Sequence, residues 1–489
     1  MKKMQLLALA GLLAWMPQAM AQDKTANDDG VFKKRVLDNT EINWVVGIYG
    51  QNGENAAVTG GIGNEELKDF AQNIQVSIPV KDDNVMDLDI TISGYTSASS
   101  SNLNPFDKDD KTTAGKAAIW QKINNTTGTT LTGSPWVASS GASRKDLWVN
   151  LKVGYSHYSD DRNQIYHASW GIANEFDYFS LGGSAAYTTL FNEKNTEFSI
   201  GTNIYLDHWR PQYPIELKTY LNNGGDLNAD LFSGVDILDQ NGQPTDKTGY
   251  DTWHPVTEGF IPFNQRNTYV LSLSFSQILT PNAQMALFTD ITYQSGWLSN
   301  PMQRVYFADK PNYYIGDPED IPIYTDPANT GVFQLADDYE RLPYSRLKVP
   351  LGMRLHYYVN ENLVVRTYYR YYFDDWGIRS HTVNVELPVK LSDKFTLYPG
   401  YRYYVQTAAD YFAPYDTHLS TETYYTSDYD LSAFDAHQYG LGIKYTDIFT
   451  KMKIGKMGVK SFHLDFNHYK RSTGLTANIV SWHVNFVMD

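Results

Sequence analysis

The sequence has no cysteine, and this absence excludes several kinds of chemistry. Disulfide bonds, thiolate metal sites and cysteine nucleophiles all require a thiol. Attachment of a lipid to a cysteine behind a leader is excluded for the same reason. We therefore expect a chain that is neither cross-linked by disulfides nor anchored through a lipidated cysteine.

Long apolar runs and an excess of positive charge are lacking as well. No stretch of roughly 18 or more apolar residues follows the N-terminal region, so helical membrane spans are not expected. The 40 Lys and Arg residues are outnumbered by 55 Asp and Glu residues, and the net charge is −15. Because no basic stripe is available to neutralise phosphates, nucleic acid is not an expected partner.

The N-terminus has the pattern of a secretory signal peptide. Lys2 and Lys3 precede an apolar run from Leu6 to Met16, and the small-x-small sequence at 19–21 marks a cleavage site. The apolar run is well short of the ~20 residues that cross a bilayer as a helix. We predict a signal peptide over 1–21, a short periplasmic segment over 22–40 and a barrel domain over 41–489.

Most of the remaining chain alternates with the period of two that is typical of strands. Near residue 370, one set of alternate positions is apolar or aromatic, whereas the other set carries the charges. The first set is Leu363, Val365, Thr367, Tyr369, Tyr371 and Phe373, and the second is Val364, Arg366, Tyr368, Arg370, Tyr372 and Asp374. A soluble sandwich also alternates, so a single strand of this kind does not decide the fold.

The length and spacing of the strands favour a membrane barrel over a soluble sandwich. About sixteen strands of roughly 10 to 16 residues are predicted, which exceeds the usual length of about 5 to 6. Aromatic residues gather near strand ends, as in the two girdles of an outer-membrane barrel. Short turns alternate with long connections at 98–141, 209–265, 298–340 and 410–431. We predict an all-β transmembrane antiparallel barrel with four large extracellular loops and short periplasmic turns, located in the cell outer membrane.

Several stretches together resemble a known family. They are "DDWGIRSH" within Tyr368–His381, "YPGYRYYVQTAADYF" over Tyr398–Phe412, "GWLSNP" over Gly296–Pro301, "ERLPYSR" over Glu340–Arg346 and "SGAS" over Ser140–Ser143. This set is similar to the domain-of-unknown-function family numbered 3570. The resemblance implies a bacterial outer-membrane barrel and carries no catalytic residues across. The family's association with thioredoxin-like and flavin-transferase proteins further implies an accessory role in an envelope pathway.

The inward-facing positions include a group of charges that we take as the first candidate site. Arg366, Arg370 and Arg402 fall around a single acid, Glu386, on neighbouring predicted strands. Rings of charge inside a lumen bias ion permeation, so the cluster is interpreted as a constriction or selectivity zone. The alternative is a mutually paired network that only fills the barrel.

A second candidate is the turn Asp374-Asp375-Trp376-Gly377, followed by Arg379 and His381. Paired acids suit general acid–base catalysis, a metal site or a salt bridge to Arg379. The plainer interpretation is a turn, because Asp and Gly favour turns for backbone reasons.

Metal binding is a weaker hypothesis. His463, Asp465 and His483 are predicted to face inward on the last two strands, where they are weak candidates for metal ligands. No cofactor is predicted, although calcium remains an option in the Asp-rich loops. The segment from Asp226 begins like an EF-hand but has Leu231 at position six and Ile237 at position twelve, so that pattern fails. The other loop acids are Asp107, Asp109, Asp110 and those in Asp226–Asp239.

The leading function is a pore or gated channel for small solutes, or an accessory of an envelope pathway. The alternative is a closed surface barrel whose Tyr- and Asp-rich loops recognise an ion, a carbohydrate or a protein, and a barrel hydrolase is third. No catalytic motif is found, so the chain is not expected to be an enzyme. Expected partners are outer-membrane lipid and either small solutes or a surface or periplasmic protein. The segment Tyr306–Pro327 is predicted to form either an inward plug or an outward ligand platform.

Overall fold

A computed structural model describes residues 35–63, 65–97, 145–316, 332–447 and 449–488. The predicted signal peptide and the whole of the first long loop, 98–141, lie outside these residues. The described chain forms one compact unit from Val36 onward.

Within the described ranges, sixteen long antiparallel strands close into a barrel, which confirms the predicted fold class. Each strand pairs with its sequence neighbour, and the first strand pairs with the last. The strands are β1 (Thr40–Asn52), β2 (Leu67–Val80), β3 (Asn84–Ser97), β4 (Lys145–Tyr158), β5 (Gln164–Asn174), β6 (Tyr178–Phe191), β7 (Thr196–Trp209), β8 (Gln265–Thr280), β9 (Ala283–Gly296), β10 (Ser345–Asn360), β11 (Leu363–Asp374), β12 (Arg379–Glu386, resumed at Val389–Lys390), β13 (Phe395–Gln406), β14 (Phe434–Thr446), β15 (Met457–Arg471) and β16 (Thr476–Met488).

The alternation read from the sequence sets the two faces of the wall. Apolar and aromatic side chains such as Trp44, Ile48, Tyr369 and Phe373 are exposed on the outer face. The inner face carries the hydrogen-bonded polar residues. A membrane barrel requires this arrangement because its outer face contacts hydrocarbon and its inner face contacts water. In the part of the chain that the structure describes, no helix is both long enough and apolar enough to span a bilayer.

The turns at the end that bears both termini are short. Asn192, Glu193 and Lys194 connect β6 to β7, and all three have positive φ (53°, 54° and 66°). This backbone matches the right-handed twist of a tight hairpin. The connection from β14 to β15 is longer and contains a two-residue strand, Lys453–Ile454. Short turns on one side are typical of the periplasmic end of such barrels.

At the other end, the described parts of the long connections fold together into a structured cap. Its elements are the 3₁₀ turns Ala57–Thr59, Asp230–Phe232 and Tyr429–Leu431, helix α1 (Ile215–Asn222), and two small sheets that pair Arg304–Val305 with Asp338–Tyr339 and Tyr314–Gly316 with Val332–Gln334. Its apolar core contains Tyr213, Leu217, Leu227, Phe232, Val235, Ile237, Trp253, Tyr306, Ile315, Leu335, Ala336 and Tyr339.

The cap refines two predictions about the loops. Four large external loops were predicted, but the shorter connection between β1 and β2 also contributes, since Ala56 and Val58 are buried. Tyr306 and Phe307 are fully buried in the cap, so the start of the segment 306–327 is neither a free plug nor a free platform. Residues 317–327 of that segment lie outside the described chain.

Candidate functional site

The predicted lumen cluster lies on the inner face of β11, β12 and β13. Arg366 and Glu386 are directly opposite each other in the strand register, and Arg366 Nη1 donates to Glu386 Oε1 at 2.9 Å. The guanidinium also lies 5.8 Å from the ring centre of Tyr398. The structure therefore brings one arginine of the cluster and its acid into a pair.

The other two arginines of the cluster are not paired in this way. Arg370 lies opposite Thr382, and Arg402 lies opposite Asn384. Among the described residues neither arginine forms an ion pair, and Arg370 Nε is buried without a hydrogen-bond partner. The cluster thus has three guanidinium groups against one carboxylate, which leaves an excess of positive charge.

Arg354 on β10 extends this basic wall. It lies opposite Tyr368 in the register, and its guanidinium stacks 4.8 Å from the ring centre of Phe288 and 5.9 Å from that of Tyr368. Aromatic faces attract cations and hold the side chain in place without neutralising it. The sequence indicates Arg354 because it falls in the inward-facing set of alternate positions in β10. We refer to Arg354, Arg366, Arg370 and Arg402, with Glu386, as the basic wall.

The acidic turn after β11 has a structural explanation. Asp374 Oδ1 accepts the backbone N–H groups of Trp376 and Ile378, each at 3.0 Å. Its Oδ2 accepts from Arg346 Nε at 3.0 Å and Nη2 at 2.5 Å, and from the Tyr372 hydroxyl at 2.6 Å. Asp374 does not form the salt bridge to Arg379 that was one of the alternatives, because Asp374 faces inward and Arg379 lies on the opposite face of the wall. Asp374 therefore fastens the turn and joins it to β10.

Three of the five stretches that carry the family resemblance, those around residues 345, 376 and 410, meet at this turn. The Trp376 indole N–H donates to Ser345 O at 3.0 Å, and Arg346 stacks 4.2 Å from a Trp376 ring centre. Asp410 N donates to Trp376 O at 2.9 Å. Gly377 has φ 89°, and a Cβ there would lie 2.4 Å from Asp410 Oδ1. Asp375 completes the contact, since its Oδ1 accepts Leu347 N at 3.0 Å. These residues hold β10, β11 and the following loop in register.

His381 lies on the outer face of β12. Its Nδ1 is 2.8 Å from the Tyr369 hydroxyl, and its ring lies 5.1 Å from that of Tyr371. Like the exposed Tyr369, it belongs to the aromatic surface that faces the membrane, near the extracellular end of the strand. The structure therefore separates His381 from the inward-facing Asp374 of the same motif.

Serine–histidine contacts bear on the hydrolase alternative. Ser380 and His381 lie on opposite faces of one strand and do not form a nucleophile–base pair. A different pair faces the lumen, where Ser156 Oγ on β4 lies 3.0 Å from His167 Nδ1 on β5. The sequence reasoning missed this contact, because the two residues come together only through the register of β4 and β5.

The three weak candidates for metal ligands do come together. His463 and His483 are register partners, and their ring centres are 5.9 Å apart. Asp465 lies 3.1 Å from His463 Nε2 and 4.0 Å from His483 Nε2. Even so, no group of three His, Asp or Glu residues in the described chain has the arrangement of a metal site.

The loop acids that were considered for calcium are partly described. Asp226 and Asp239 accept backbone N–H groups within their own turns, from Asn228 and from Asn241 and Gln243. Asp107, Asp109 and Asp110 lie outside the described residues. The acids at 226 and 239 thus act as turn formers, as Asp commonly does.

The cap contains a buried ion pair that the sequence did not reveal. Arg304 Nε donates to Glu216 Oε1 at 2.8 Å, and Arg304 Nη1 donates to Val58 O at 2.8 Å. Arg304 and Glu216 are both fully buried. These bonds connect three loops, because Val58, Glu216 and Arg304 belong to three different connections of the barrel.

Two further buried carboxyl groups hold the cap together. Asp337 accepts Phe307 N at 2.9 Å, and burial raises its pKa to about 7. Glu340 accepts Asn300 N at 2.6 Å and the Thr426 hydroxyl, and burial raises its pKa to about 8. Both acids occur in a loop sequence rich in charges, which gave no sign that they are buried.

The cap contacts the barrel wall at a second ion pair. Arg471 at the end of β15 donates to Asp430 of the cap at 2.8 Å. A cavity of about 300 Å³ adjoins this contact and is lined in part by Tyr49, Glu65 and Tyr469. The junction between cap and wall is therefore polar and contains open space.

Comparison with known proteins agrees with this architecture. A family model described as "Protein of unknown function (DUF3570)" matches residues 5–479. The chain belongs to the DUF3570 family. It is a bacterial outer-membrane β-barrel by its fold and by the division of its surface into an apolar outer face and a polar inner face. No curated protein matches the chain.

Solved structures share only a general likeness with this DUF3570 chain. The toluene transporter TodX of P. putida has 10% identity, with 93% of this chain and 91% of that chain covered and a TM-score of 0.36. OccK1 (OpdK) of Pseudomonas aeruginosa has 7% identity, coverage of 92% and 99%, and a TM-score of 0.33. A FadL homologue from Pseudomonas aeruginosa has 9% identity, coverage of 93% and 91%, and a TM-score of 0.36. These values are too low to transfer a function to this chain.

Proposed function

We propose that this protein is a gated outer-membrane channel for small polar solutes. The basic wall sets its charge preference, and the cap controls access from the extracellular side. Its function is to let solutes cross the membrane through the barrel and not to catalyse a reaction.

The observation that carries the proposal is the unpaired positive charge inside the barrel. Arg402 is exposed on the inner face, and neither it nor Arg370 has an ion-pair partner in the described chain. An isolated charge is costly in a dry interior, so these guanidinium groups need water around them. A sixteen-stranded barrel is wide enough to hold that water, because side chains alone do not fill a lumen of this size.

The cap supports gating. It has its own apolar core and a buried ion pair, and one of its contacts with the wall is the polar pair between the largely buried Arg471 and the exposed Asp430. A lid with its own core can move as a unit when polar contacts of this kind break.

Planar-bilayer recordings of the refolded protein test the channel. The variant Arg370→Gln/Arg402→Gln should shift the reversal potential in a salt gradient towards cations, because two inner positive charges are lost. Arg379→Gln, which removes an arginine from the outer face, is the matched control and should leave the reversal potential unchanged. If both variants behave alike, the basic wall does not line the pathway.

A second candidate function is favoured by the cap itself. A folded extracellular surface with its own core also suits a closed barrel that binds a partner. Arg304→Ala disrupts the buried ion pair of the cap and distinguishes the two functions. Conductance that appears or increases in this variant supports gating, whereas silence in both the intact protein and the variant overturns the channel and favours the binding barrel.

A further inference from the structure

Acidic side chains occupy the inner face of the wall on β2 and β3. Asp69, Asp87 and Asp89 all accept hydrogen bonds from uncharged side chains of the same face. Ser93 donates to Asp69 and Ser77 to Asp87, each at 2.6 Å, while Asn73 and Gln75 donate to Asp89 at 2.7 and 3.0 Å. These bonds orient the carboxylates and leave their charge uncompensated.

Among the described inner-face residues of β1 to β4, one cation lies near these acids. Lys152 on β4 is the register partner of Asp89, and the described contacts include no ion pair between Lys152 and the three acids. Three carboxylates against one ammonium group leave an excess of negative charge on this side. We refer to Asp69, Asp87 and Asp89 as the acidic wall.

The acidic and basic walls face each other across the lumen. The ring of sixteen strands is closed by the pairing of β1 with β16. Eight steps in either direction lead from β3 to β11, so Asp89 and the arginines of β11 lie on opposite sides.

The strand register also places the two walls at the same level. In one direction, successive partners of Asp89 lead to Arg346 at the extracellular end of β10; in the other, they lead to Thr446 at the periplasmic end of β14. The first path is Lys152, Gly171, Gly182, Tyr205, Thr268, Gln294 and Arg346, and the second is Gln75, Asn43, Asn485, Ser461 and Thr446.

Because barrel strands are tilted, one path of register partners climbs the barrel and the other descends. A plane perpendicular to the barrel axis therefore passes midway between the ends of the two paths. On β11 the midpoint falls near Tyr368, between Arg366 and Arg370. Tyr368 lies in one register row with Arg354, Asn384 and Arg402. The acids of β3 therefore face the basic wall directly.

We infer that the two walls create a transverse electric field that selects small zwitterionic solutes. This inference rests on the proposed function, since it names the solute class of the same channel. A zwitterion orients its ammonium group towards Asp87 and Asp89 and its carboxylate towards Arg370 and Arg402. A neutral solute of equal size has no favourable electrostatic interaction with the two walls. A singly charged solute is attracted by one wall and repelled by the other.

Liposome swelling with the refolded full-length protein in phosphatidylcholine vesicles tests this selection. The probes are ω-amino acids of increasing chain length, each compared with a neutral hydroxy-amide of matched size. We expect each zwitterion to permeate faster than its neutral match, by about threefold for the longest, because a larger charge separation interacts more strongly with a field. The advantage should shrink when the ionic strength is raised from about 0.01 to about 1 M, since screening shortens from roughly 30 to 3 Å.

Variants of each wall provide the second half of the test. Asp87→Asn/Asp89→Asn and Arg370→Gln/Arg402→Gln should each reduce the ratio of zwitterion to neutral permeability towards one. Their reversal potentials should move in opposite directions, towards anions for the first and towards cations for the second. Glu197→Gln, an inner-face acid near the periplasmic end of β7, is the control and should keep the ratio of the parent protein.

The outcomes separate the inference from the proposed function. Equal permeation of zwitterions and neutral solutes through a working channel overturns the inference and leaves the channel intact. The inference is also overturned if the ratio of zwitterion to neutral permeability falls in the arginine variant but not in the aspartate variant. The field then does not come from two walls. No permeation of any probe, even in Arg304→Ala, overturns the proposed function and the inference together.

Discussion

Glu340 allows a quantitative test of how the cap is held closed. Glu340 is 2% exposed, and its carboxyl group lies between loops, where it accepts hydrogen bonds from Asn300 and Thr426. Burial raises its pKa from 4.5 to about 8, and the negative charge of Asp428 acts in the same direction. The folded cap thus favours the protonated form.

Because folding raises the pKa of Glu340, the stability of the folded cap decreases as the pH rises. A group whose pKa is raised by folding stabilises the folded state fully below its unfolded pKa, and that stability is lost as the pH rises through the folded value. For Glu340 the loss extends from about pH 4.5 to about pH 8. The difference corresponds to roughly 5 kcal/mol, and between pH 5 and pH 8 the opening equilibrium of the cap should increase by roughly 400-fold.

Limited proteolysis of the refolded protein measures this opening. Glu340→Gln keeps the shape of the protonated side chain but cannot ionise, so its cap should open less steeply with pH than that of the parent. The ratio of cleavage rates at each pH cancels the pH dependence of the protease. Glu258→Gln, at an exposed cap position, is the control and should follow the parent. Equal pH slopes for the parent and Glu340→Gln would refute the reasoning.

Three further substitutions test the wall, the turn and the buried ion pair. Val385→Arg should impair membrane assembly, since arginine at the lipid midplane costs roughly 2 to 4 kcal/mol, whereas Glu386→Gln on the inner face should assemble normally; equal yields of folded barrel would contradict the face assignment. Asp374→Ala should lower the urea midpoint of unfolding more than Asp375→Ala, because it removes the acceptor of five hydrogen bonds and not of one; equal midpoints would count against the role of the turn. Arg304→Ala should destabilise the cap by about 3 to 5 kcal/mol in proteolysis, because Glu216 is left as a buried unpaired charge. Arg304→Met/Glu216→Leu should recover part of that loss, and no recovery would indicate that the loops depend on the shape of the pair and not on its charge.

The candidate site was only partly predictable from the sequence. The inward positions of Arg366, Arg370, Glu386 and Arg402 follow from alternation, because a residue's face depends only on its own strand. Which arginine pairs with Glu386 depends on the register between β11 and β12, and that register is a property of two strands together. The partner of Asp374 was not predicted for the same reason, since Arg346 is distant in sequence and adjacent only across β10 and β11.

By itself, the sequence determined the class of fold, the strands and the division of each strand into an apolar and a polar face. These features are local, since alternation and turn composition act within a few residues, and the hydrocarbon outside the wall rewards the same pattern in every strand. Only the tertiary structure decided that the described loops form one cap, that Arg304 and Glu216 are buried together, and that acids of β3 face arginines of β11. Those features depend on the closure of the ring and on packing between distant segments, for which the local pattern contains no information.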